Sequence, residues 1–199
     1  TCLDLEGILV PEIWVGLSRI IGIEELSLTT RDVEDYGELM KHRLAICEKH
    51  SLGLIDIQRV VEKMKPLEGA QEFLSWLRQR CEVVILSDTF REFVKPMMIR
   101  LKHPTLFCHS LILNRDQHIM DYQLRLSDQK PMAVRAFQSL NFQVAAVGDS
   151  FNDIAMLEEA DHSILFKPSE QVAKSYPDYP VKANYQELKN HLQRIIPTD

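Results

Sequence analysis

The sequence predicts a doubly wound α/β fold, in which helices cover both faces of a mainly parallel sheet. Short apolar and β-branched runs, typical of buried strands, recur along the 199 residues, and segments with apolar residues at helical spacing separate them. Acidic and small polar residues follow these runs directly. Because parallel strands need a long crossover between them, the alternation of strands and helices favours a parallel sheet.

Four runs have the composition of buried strands. In chain order they are residues 2–5, 82–87, 143–148 and 163–166. Two sets of apolar residues at helical spacing lie between them, namely Ala70, Phe73, Leu74 and Leu77, and then Val134, Phe137 and Leu140. Residues 106–126 instead form two extended stretches around the polar segment 114–116, which predicts a hairpin or an antiparallel edge.

Residues 11–67 interrupt the alternation because they contain no convincing buried strand. Helical patterns run through residues 12–21, 33–49 and 55–65. We therefore expect one α/β core, formed by residues 1–10 and 68–199, with a small helical cap of residues 11–67 inserted after the first strand. Such an insertion is a candidate lid.

The composition excludes several classes of function. A formal charge of −6 argues against nucleic acid or an anionic membrane as partner, and at first sight against an anionic substrate. The widely spaced Cys2, Cys47, Cys81 and Cys108 favour reduced thiols, and no long apolar run is present, so we expect a cytoplasmic protein. Zinc-binding histidine spacing and glycine-rich nucleotide loops are also missing from the sequence.

Polar residues follow three of the predicted strands. In an open α/β sheet the ligand site lies outside the carboxyl ends of the strands, so these residues should share one crevice. They are Asp4 and Glu6 after the first strand, Ser87, Asp88 and Thr89 after the second, and Asp149, Ser150, Asn152 and Asp153 after the third.

Each group also has a plainer interpretation. Asp4 could cap a turn, but Asp4 and Glu6 lie two residues apart on one side of a strand end, where two carboxylates repel each other. A divalent metal, or separate acid and nucleophile roles, would explain the pair. Asp149 or Ser150 could cap a helix over residues 152–159, yet two aspartates exceed what one cap needs, and oxygen ligands from separate strands suit Mg²⁺.

Ser87 at the second strand end, together with a few charged residues outside the strand ends, completes the candidate site. Ser87 could be a helix N-cap or part of a phosphate cradle. Lys130 precedes Pro131 at a predicted helix N-terminus, where the helix dipole disfavours a cation unless an anion is bound. Arg43 falls within an apolar helical face, so it needs either a core salt bridge or a substrate carboxylate or phosphate. Glu12 could serve the helix dipole or the crevice.

With these clusters assembled, the sequence resembles the haloacid dehalogenase-type phosphotransferase superfamily, which has a Rossmann-like core. Asp4 with Glu6 matches the first motif, Ser87 the second and Lys130 the third, while Asp149 with Asp153 matches the fourth. The helical insertion is similar to the cap of the phosphoserine phosphatase branch. The strings DLEG, TTRD, LSDTF, PTL-x-C-H, YQLR and GDS-x-ND are similar to bacterial members that also pass the phosphoryl group to homoserine.

The resemblance implies a role for each site residue. Asp4 would be the nucleophile and Glu6 the acid and base, and Asp4, the main-chain carbonyl of Glu6 and Asp149 would hold Mg²⁺. Glu12 and Arg43 would bind the amino acid end of phosphoserine. Four further residues would hold the phosphoryl group or order the site, with Asp153 in a supporting role; the four are Ser87, Asp88, Lys130 and Asn152.

The resemblance implies a reaction through an aspartyl-phosphate, with water or homoserine as the acceptor, in serine or threonine biosynthesis. One alternative is an enzyme of the same class that acts on phosphocholine or a sugar phosphate. Another is a receiver-type signalling domain, although Glu6 and the insertion both disfavour it. The oligomeric state stays open, with a homodimer as one option.

Overall fold

The computed structural model describes residues 1–29, 33 and 35–196, and its seven strands form one sheet in the order β4-β3-β2-β1-β5-β6-β7. All neighbouring strands pair in parallel except β3 and β4, which are antiparallel. The strands are β1 (Cys2–Leu3), β2 (Val84–Phe90), β3 (Thr105–Leu113), β4 (Ile119–Gln123), β5 (Ala145–Gly148), β6 (His162–Phe166) and β7 (Val181–Lys182). The predicted doubly wound, mainly parallel sheet is therefore confirmed.

Nine α-helices are present in the described part of the chain. They are α1 (Ile13–Ile21), α2 (Tyr36–Lys49), α3 (Leu54–Lys63), α4 (Ala70–Arg78), α5 (Arg91–Arg100), α6 (Gln129–Ser139), α7 (Ile154–Glu159), α8 (Glu170–Ser175) and α9 (Tyr185–Ile195). The α2 helix begins later than the predicted residue 33 because Asp35 is its N-cap, accepting a hydrogen bond from the Glu38 N–H at 2.8 Å. Most of the TTRD string, residues 30–32, lies outside the described residues, as does position 34 of the predicted helix.

Alternate residues of the strands belong to two hydrophobic clusters, one on each face of the sheet. Leu3 on β1 belongs to one cluster and its neighbour Cys2 to the other, as the two-residue period of a strand requires. The first cluster includes residues of α1 to α5 and α9, and the second includes residues of α6, α7 and α8. Helices therefore cover both faces, and both faces of the central strands are buried.

Three sequence expectations about the elements need correction or addition. The first strand is shorter than the predicted 2–5, although the Asp4 N–H still donates to the Val147 carbonyl at 3.0 Å. The second runs past Ser87 to Phe90, and the two-residue edge strand β7 was not predicted. The antiparallel pair β3–β4 confirms the expected hairpin over 106–126. None of the described helices has the length and apolar character needed to cross a bilayer.

Candidate active site

Asp4 lies where the central strand of the sheet ends. Leu3 pairs with Ile85 on β2 and with Val147 on β5, so β1 is flanked on both sides. The next residue, Asp4, is 5% exposed. Its position at the carboxyl end of a central parallel strand is where ligands bind in open α/β sheets. The structure thus places Asp4 at the position that its sequence context predicted.

Lys130 brings three of the predicted site residues together. Its Nζ lies 2.8 Å from Asp153 Oδ1, 3.0 Å from Asp4 Oδ1 and 3.5 Å from Asp88 Oδ2, and its side chain is buried. Burial alone would lower the pKa of Lys130, but the carboxylates of Asp153, Asp4 and Asp88 outweigh it and hold that pKa well above its usual range. Lys130 is therefore a charged ammonium inside the site.

The position of Lys130 differs slightly from the sequence expectation. Helix α6 begins at Gln129, so Pro131 is its third residue and Lys130 its second. A cation in the first turn is still disfavoured by the helix dipole. The surrounding carboxylates compensate for that cost, and they come from Asp4 after β1, Asp88 in β2 and Asp153 after β5.

Asp4, Asp149 and Asp153 form a buried acidic cluster whose ligand oxygens lie within 4.8 Å of one another. Burial raises the pKa of Asp4 well above its usual range, and the Asp153 and Asp149 carboxylates add to this rise against the lowering effect of Lys130. When all three carboxyl groups are ionised, they carry more negative charge than one ammonium offsets, and a bound cation would favour that ionised state. Hard oxygen ligands in such a cluster fit Mg²⁺, which agrees with the cofactor predicted from the sequence.

Both carboxylate oxygens of Asp153 accept hydrogen bonds, one from Lys130 on α6 and the other from the loop after β5. Oδ1 accepts from Lys130, and Oδ2 accepts the N–H groups of Asp149 at 3.0 Å and Ser150 at 3.2 Å. The predicted helix 152–159 begins as a 3₁₀ turn, Phe151–Asp153, with Ser150 as its N-cap, and α7 follows. Asp153 therefore shapes the loop that carries Asp149, which is consistent with a supporting role.

Glu6 and Glu12 lie beside the start of α1. Glu6 Oε2 accepts a hydrogen bond from the Ile13 N–H at 2.8 Å. Desolvation, and then the nearby Glu12 carboxylate, raise the pKa of Glu6 from 4.5 to about 8. Glu12 is the N-cap residue of α1 rather than part of its first turn, which corrects the sequence expectation. A carboxyl group with a pKa near neutrality can both donate and accept a proton.

Arg43 on α2 is buried, with 7% exposure, and it faces the first helix. Its guanidinium carbon lies 4.7 Å from the centre of the Trp14 ring, and Nη2 donates to the Leu28 carbonyl at 2.8 Å. Its Nε finds no hydrogen-bond acceptor among the described residues. Burial lowers the pKa of Arg43, whereas the Glu6 carboxylate has the opposite effect. A buried donor without an acceptor is costly, and an anionic or polar ligand at this position would remove that cost.

Ser87 and Asp88 lie within β2 rather than after it. The strand continues to Phe90, with a register shift relative to β3 between Leu86 and Phe90, and α5 begins only at Arg91. Ser87 is therefore not a helix N-cap, and its buried Oγ accepts from the Thr89 N–H at 3.3 Å. These polar residues therefore lie in an irregular stretch within β2 rather than beyond its end.

Asp88 is held as a carboxylate. Burial would raise the pKa of Asp88, but Lys130 and hydrogen bonds from His109 and Gln129 hold it well below its usual range. Asn152 Nδ2 lies 3.4 Å from Asp88 Oδ2, so the predicted Asn152 also joins the site. A permanent carboxylate cannot donate to a phosphoryl oxygen, so the side chain of Asp88 is suited to ordering its neighbours.

Sequence reasoning missed three residues that contact this region. Tyr36 Oη donates to the Asp88 carbonyl at 2.8 Å, and Gln129 Nε2 donates to the Ser87 carbonyl at 2.7 Å. His109 Nε2 lies 3.4 Å from Asp88 Oδ1. Tyr36 shares the apolar helical face in which Arg43 falls, which indicates packing rather than a site, and Gln129 stands next to Lys130. For His109 the available signal was a lone histidine in a strand of apolar residues, which does not indicate a site by itself.

A profile of haloacid dehalogenase-like hydrolases matches residues 12–161. A protein of Pseudomonas syringae pv. tomato, named phosphoserine phosphatase, is 52% identical over 188 residues, which are 94% of this chain and 79% of that protein. Phosphoserine phosphatase ThrH of Pseudomonas aeruginosa is also 52% identical over 188 residues, covering 94% of this chain and 92% of the relative.

Solved structures with the same fold include an apo phosphoserine phosphatase, with a TM-score of 0.77, 21% identity, and coverage of 95% of this chain and 96% of that one. A phospho-aspartyl intermediate analogue of phosphoserine phosphatase has a TM-score of 0.78 and 20% identity, and the match covers 96% of both chains.

Proposed function

The chain belongs to the haloacid dehalogenase-like hydrolases, and we propose that it transfers the phosphoryl group of O-phosphoserine through an aspartyl-phosphate on Asp4. One observation carries the proposal: Asp4, Lys130 and the acidic residues Asp149 and Asp153 converge in a buried cluster where the central strand ends. The phosphoserine phosphatases that are 52% identical over most of the chain support the substrate.

Each residue of this cluster would have its own role in the reaction. The Asp4 carboxylate attacks the phosphorus atom, and the bond to the serine oxygen breaks. Lys130 offsets negative charge on the phosphoryl oxygens, which is most of what phosphoryl transfer requires of a protein. Asp4, the main-chain carbonyl of Glu6 and Asp149 would hold Mg²⁺, which supplies further charge compensation.

Glu6 would carry the proton. Its carboxyl group, with a pKa raised to about 8, gives a proton to the departing serine oxygen and later takes one from the acceptor. The acceptor oxygen then bonds to the phosphorus atom and the Asp4–phosphorus bond breaks, which frees the Asp4 carboxylate. Water as acceptor completes hydrolysis to serine and phosphate, and homoserine as acceptor completes a phosphotransfer. Both acceptors would use the same aspartyl-phosphate, and Ser87 and Asn152 would order the phosphoryl end of the site.

The helical segment supplies the contacts for the amino acid. We assign residues 1–10 and 68–199 to the catalytic core and residues 11–67 to a cap that carries Glu12 and Arg43. The buried Nε of Arg43, which lacks an acceptor among the described residues, is suited to the substrate carboxylate. Glu12 is suited to its ammonium group. A phosphocholine or sugar phosphate substrate would leave Arg43 without this carboxylate, and a receiver-type signalling domain does not fit the family.

The test compares wild type with Asp4→Asn, and uses Asp116→Asn, at an exposed hairpin position, as the matched control. Wild type and Asp116→Asn should release phosphate from phosphoserine faster than from phosphocholine or a sugar phosphate, with activity lost in EDTA and restored by Mg²⁺. Asp4→Asn should neither turn over nor retain phosphate in a quenched reaction with labelled substrate. Phosphohomoserine should form when homoserine is added. Magnesium-dependent turnover by Asp4→Asn would contradict the mechanism, and a preference for another ester would contradict the substrate.

A further inference from the structure

A hydrogen-bonded network joins the hairpin side of the sheet to the site at Asp88. It consists of Arg125, His109 and Gln129, and we refer to these three residues as the Arg125 network. His109 on β3 is 3% exposed, and Gln129 at the start of α6 is 2% exposed. Buried polar side chains need hydrogen-bond partners, and both of these have their partners at Asp88 or Ser87 on one side and at Arg125 on the other.

The main chain of Arg125 fixes the tautomer of His109. The Arg125 N–H donates to His109 Nδ1 at 3.2 Å, so Nδ1 carries a lone pair and no proton. The proton of the neutral ring must then be on Nε2, which lies 3.4 Å from Asp88 Oδ1. His109 is thus set as a neutral donor to the Asp88 carboxylate.

The side chain of Arg125 fixes the amide of Gln129 in the same way. Arg125 Nε donates to Gln129 Oε1 at 3.2 Å, which assigns the oxygen and turns the amide nitrogen toward β2. That nitrogen has two protons and two acceptors, the Ser87 carbonyl at 2.7 Å and Asp88 Oδ1 at 3.1 Å. The closeness of Gln129 Nε2 to His109 Nε2, 3.4 Å, follows because both donors converge on the same oxygen.

The two oxygens of Asp88 therefore have separate partners. Oδ1 receives the uncharged donors of His109 and Gln129, and Oδ2 lies near Lys130 Nζ at 3.5 Å and Asn152 Nδ2 at 3.4 Å. If Oδ1 were not held, the carboxylate could rotate and draw Lys130 away from Asp4. Neutral donors fix the carboxylate without adding charge that would compete with Lys130.

We infer that His109 and Gln129 are positioning residues for phosphoryl transfer. This role rests on the proposed function of Asp4 and Lys130. They orient Asp88 so that Lys130 stays directed at the nucleophile and Asn152 stays at the phosphoryl end. Neither residue touches the reacting atoms in this arrangement. Both act through Asp88, and their removal should therefore slow the transfer step more than it weakens binding of the amino acid.

Two substitutions of His109 distinguish the roles of its two ring nitrogens. His109→Gln can place an amide N–H near the site of Nε2, and His109→Asn can place an amide oxygen near the site of Nδ1. We expect His109→Asn to lower kcat for phosphoserine about tenfold, equivalent to about 1.4 kcal/mol, with KM changed less than about twofold. His109→Gln should keep most of the wild-type kcat. Equal losses in both variants, or no loss in either, would overturn the inference.

A double-mutant cycle tests whether His109 acts through Asp88. In an Asp88→Asn background, His109→Asn should change kcat by less than about twofold, because the group that it orients is already gone. Losses that multiply independently would show that His109 acts elsewhere. His50→Asn, at the exposed C-terminal end of α2, is the control for a histidine outside the network.

Thermal unfolding checks that each variant is folded. Gln129→Met removes the other donor to Asp88 Oδ1 and should lower kcat in the same way. It takes the place of His109→Asn in the test if that variant does not fold. All kinetics are repeated with p-nitrophenyl phosphate. If wild type hydrolyses this ester but not phosphoserine, the proposed substrate fails, while the His109 comparison is still decided on the ester.

Discussion

Lys130 links the charge of the site to the choice of ligand. Its ammonium contacts the carboxylates of Asp4, Asp88 and Asp153, so the cluster with Asp149 keeps net negative charge. Such a cluster repels a bare phosphate, but with a bound divalent cation the local field is set by the metal. The formal charge of −6 is therefore no argument against an anionic substrate.

Glu6 should make stability depend on pH. Its pKa, raised from 4.5 to about 8, means that the folded protein retains a proton that the unfolded chain releases. The contribution of this proton to the free energy of unfolding is fully present below pH 4.5 and is lost as pH rises through about 8. Glu6→Gln cannot lose a proton. We therefore expect its stability relative to wild type to increase between pH 5 and about pH 8 and to level off above that.

Urea unfolding in EDTA measures this difference without interference from metal binding. Glu158→Gln, a change at an exposed carboxylate of α7, is the matched control and should follow the wild-type pH dependence. A pH-independent difference between Glu6→Gln and wild type would show that Glu6 has no raised pKa in the folded protein.

Arg43 should determine affinity for the amino acid part of the substrate. A hydrogen bond to a charged group contributes about 1.5–3 kcal/mol, so Arg43→Ala should raise KM for phosphoserine roughly ten- to hundredfold. For p-nitrophenyl phosphate, which has no carboxylate, KM should change little. Steady-state kinetics on both substrates check this, with Arg19→Ala on the exposed side of α1 as control. Equal losses on both substrates would indicate that Arg43, stacked on Trp14, is structural.

The turn between β1 and α1 sets the spacing of the acidic cluster. Gly7 has a φ of +78°, and a Cβ built there would lie 2.5 Å from the Asp149 carboxylate. Gly7→Ala should therefore displace Asp149 and lower kcat/KM about a hundredfold or more, because small displacements of catalytic groups are costly. The turn requires glycine for two reasons, the positive φ of its backbone and the closeness of the Asp149 carboxylate.

Gly22→Ala separates these two reasons. Gly22, the C-cap of α1, has a similar φ of +81° but nothing within 4 Å of the added Cβ. The substitution should cost about 1 kcal/mol of stability and leave kcat/KM unchanged. Urea unfolding and kinetics on both variants give the comparison. If Gly7→Ala lost only as much as Gly22→Ala, the close approach to Asp149 would have no consequence for activity.

The sequence was most informative where one element determines the outcome by itself. Buried strands near residues 2, 84, 145 and 163 were predictable because their runs are short, apolar and bounded by polar residues. The strand β7 could not be found in this way, because two residues carry no periodicity and pair only at the sheet edge. The continuation of β2 past Ser87 to Phe90 was also missed, since a register shift depends on the partner strand.

The site could be predicted only in part, for the same physical reason. Asp4, Asp88 and Asp149 follow or interrupt strands, so fold class and position together bring them to one edge. His109 and Gln129 belong to the network through distances across the fold, with Asp88 separated from them by about twenty and forty positions. The spacing of residues along the chain does not predict these contacts.

The proposed cap, residues 11–67, and the proposed α/β core share hydrophobic packing. Leu17 on α1 and Ile57 on α3 belong to the same buried cluster as Phe73 on α4 and Ile85 on β2. Trp14 on α1 packs edge-to-face on Phe93 of α5, with ring centres 5.3 Å apart. A cluster that runs across both segments couples their unfolding, because separating them would expose buried apolar surface of both.

The two tryptophans of the chain lie on opposite sides of this division and can report on it. Trp14 is in the insertion, and Trp76 is on α4, where it stacks on Phe73. Trp76→Phe leaves Trp14 as the only fluorescent tryptophan, and Trp14→Phe leaves Trp76. In each variant we expect the fluorescence and far-ultraviolet circular dichroism transitions in urea to share one midpoint, because coincident transitions accompany cooperative unfolding. If the Trp14 signal changed at a lower urea concentration than circular dichroism in the same variant, the insertion would unfold separately from the core.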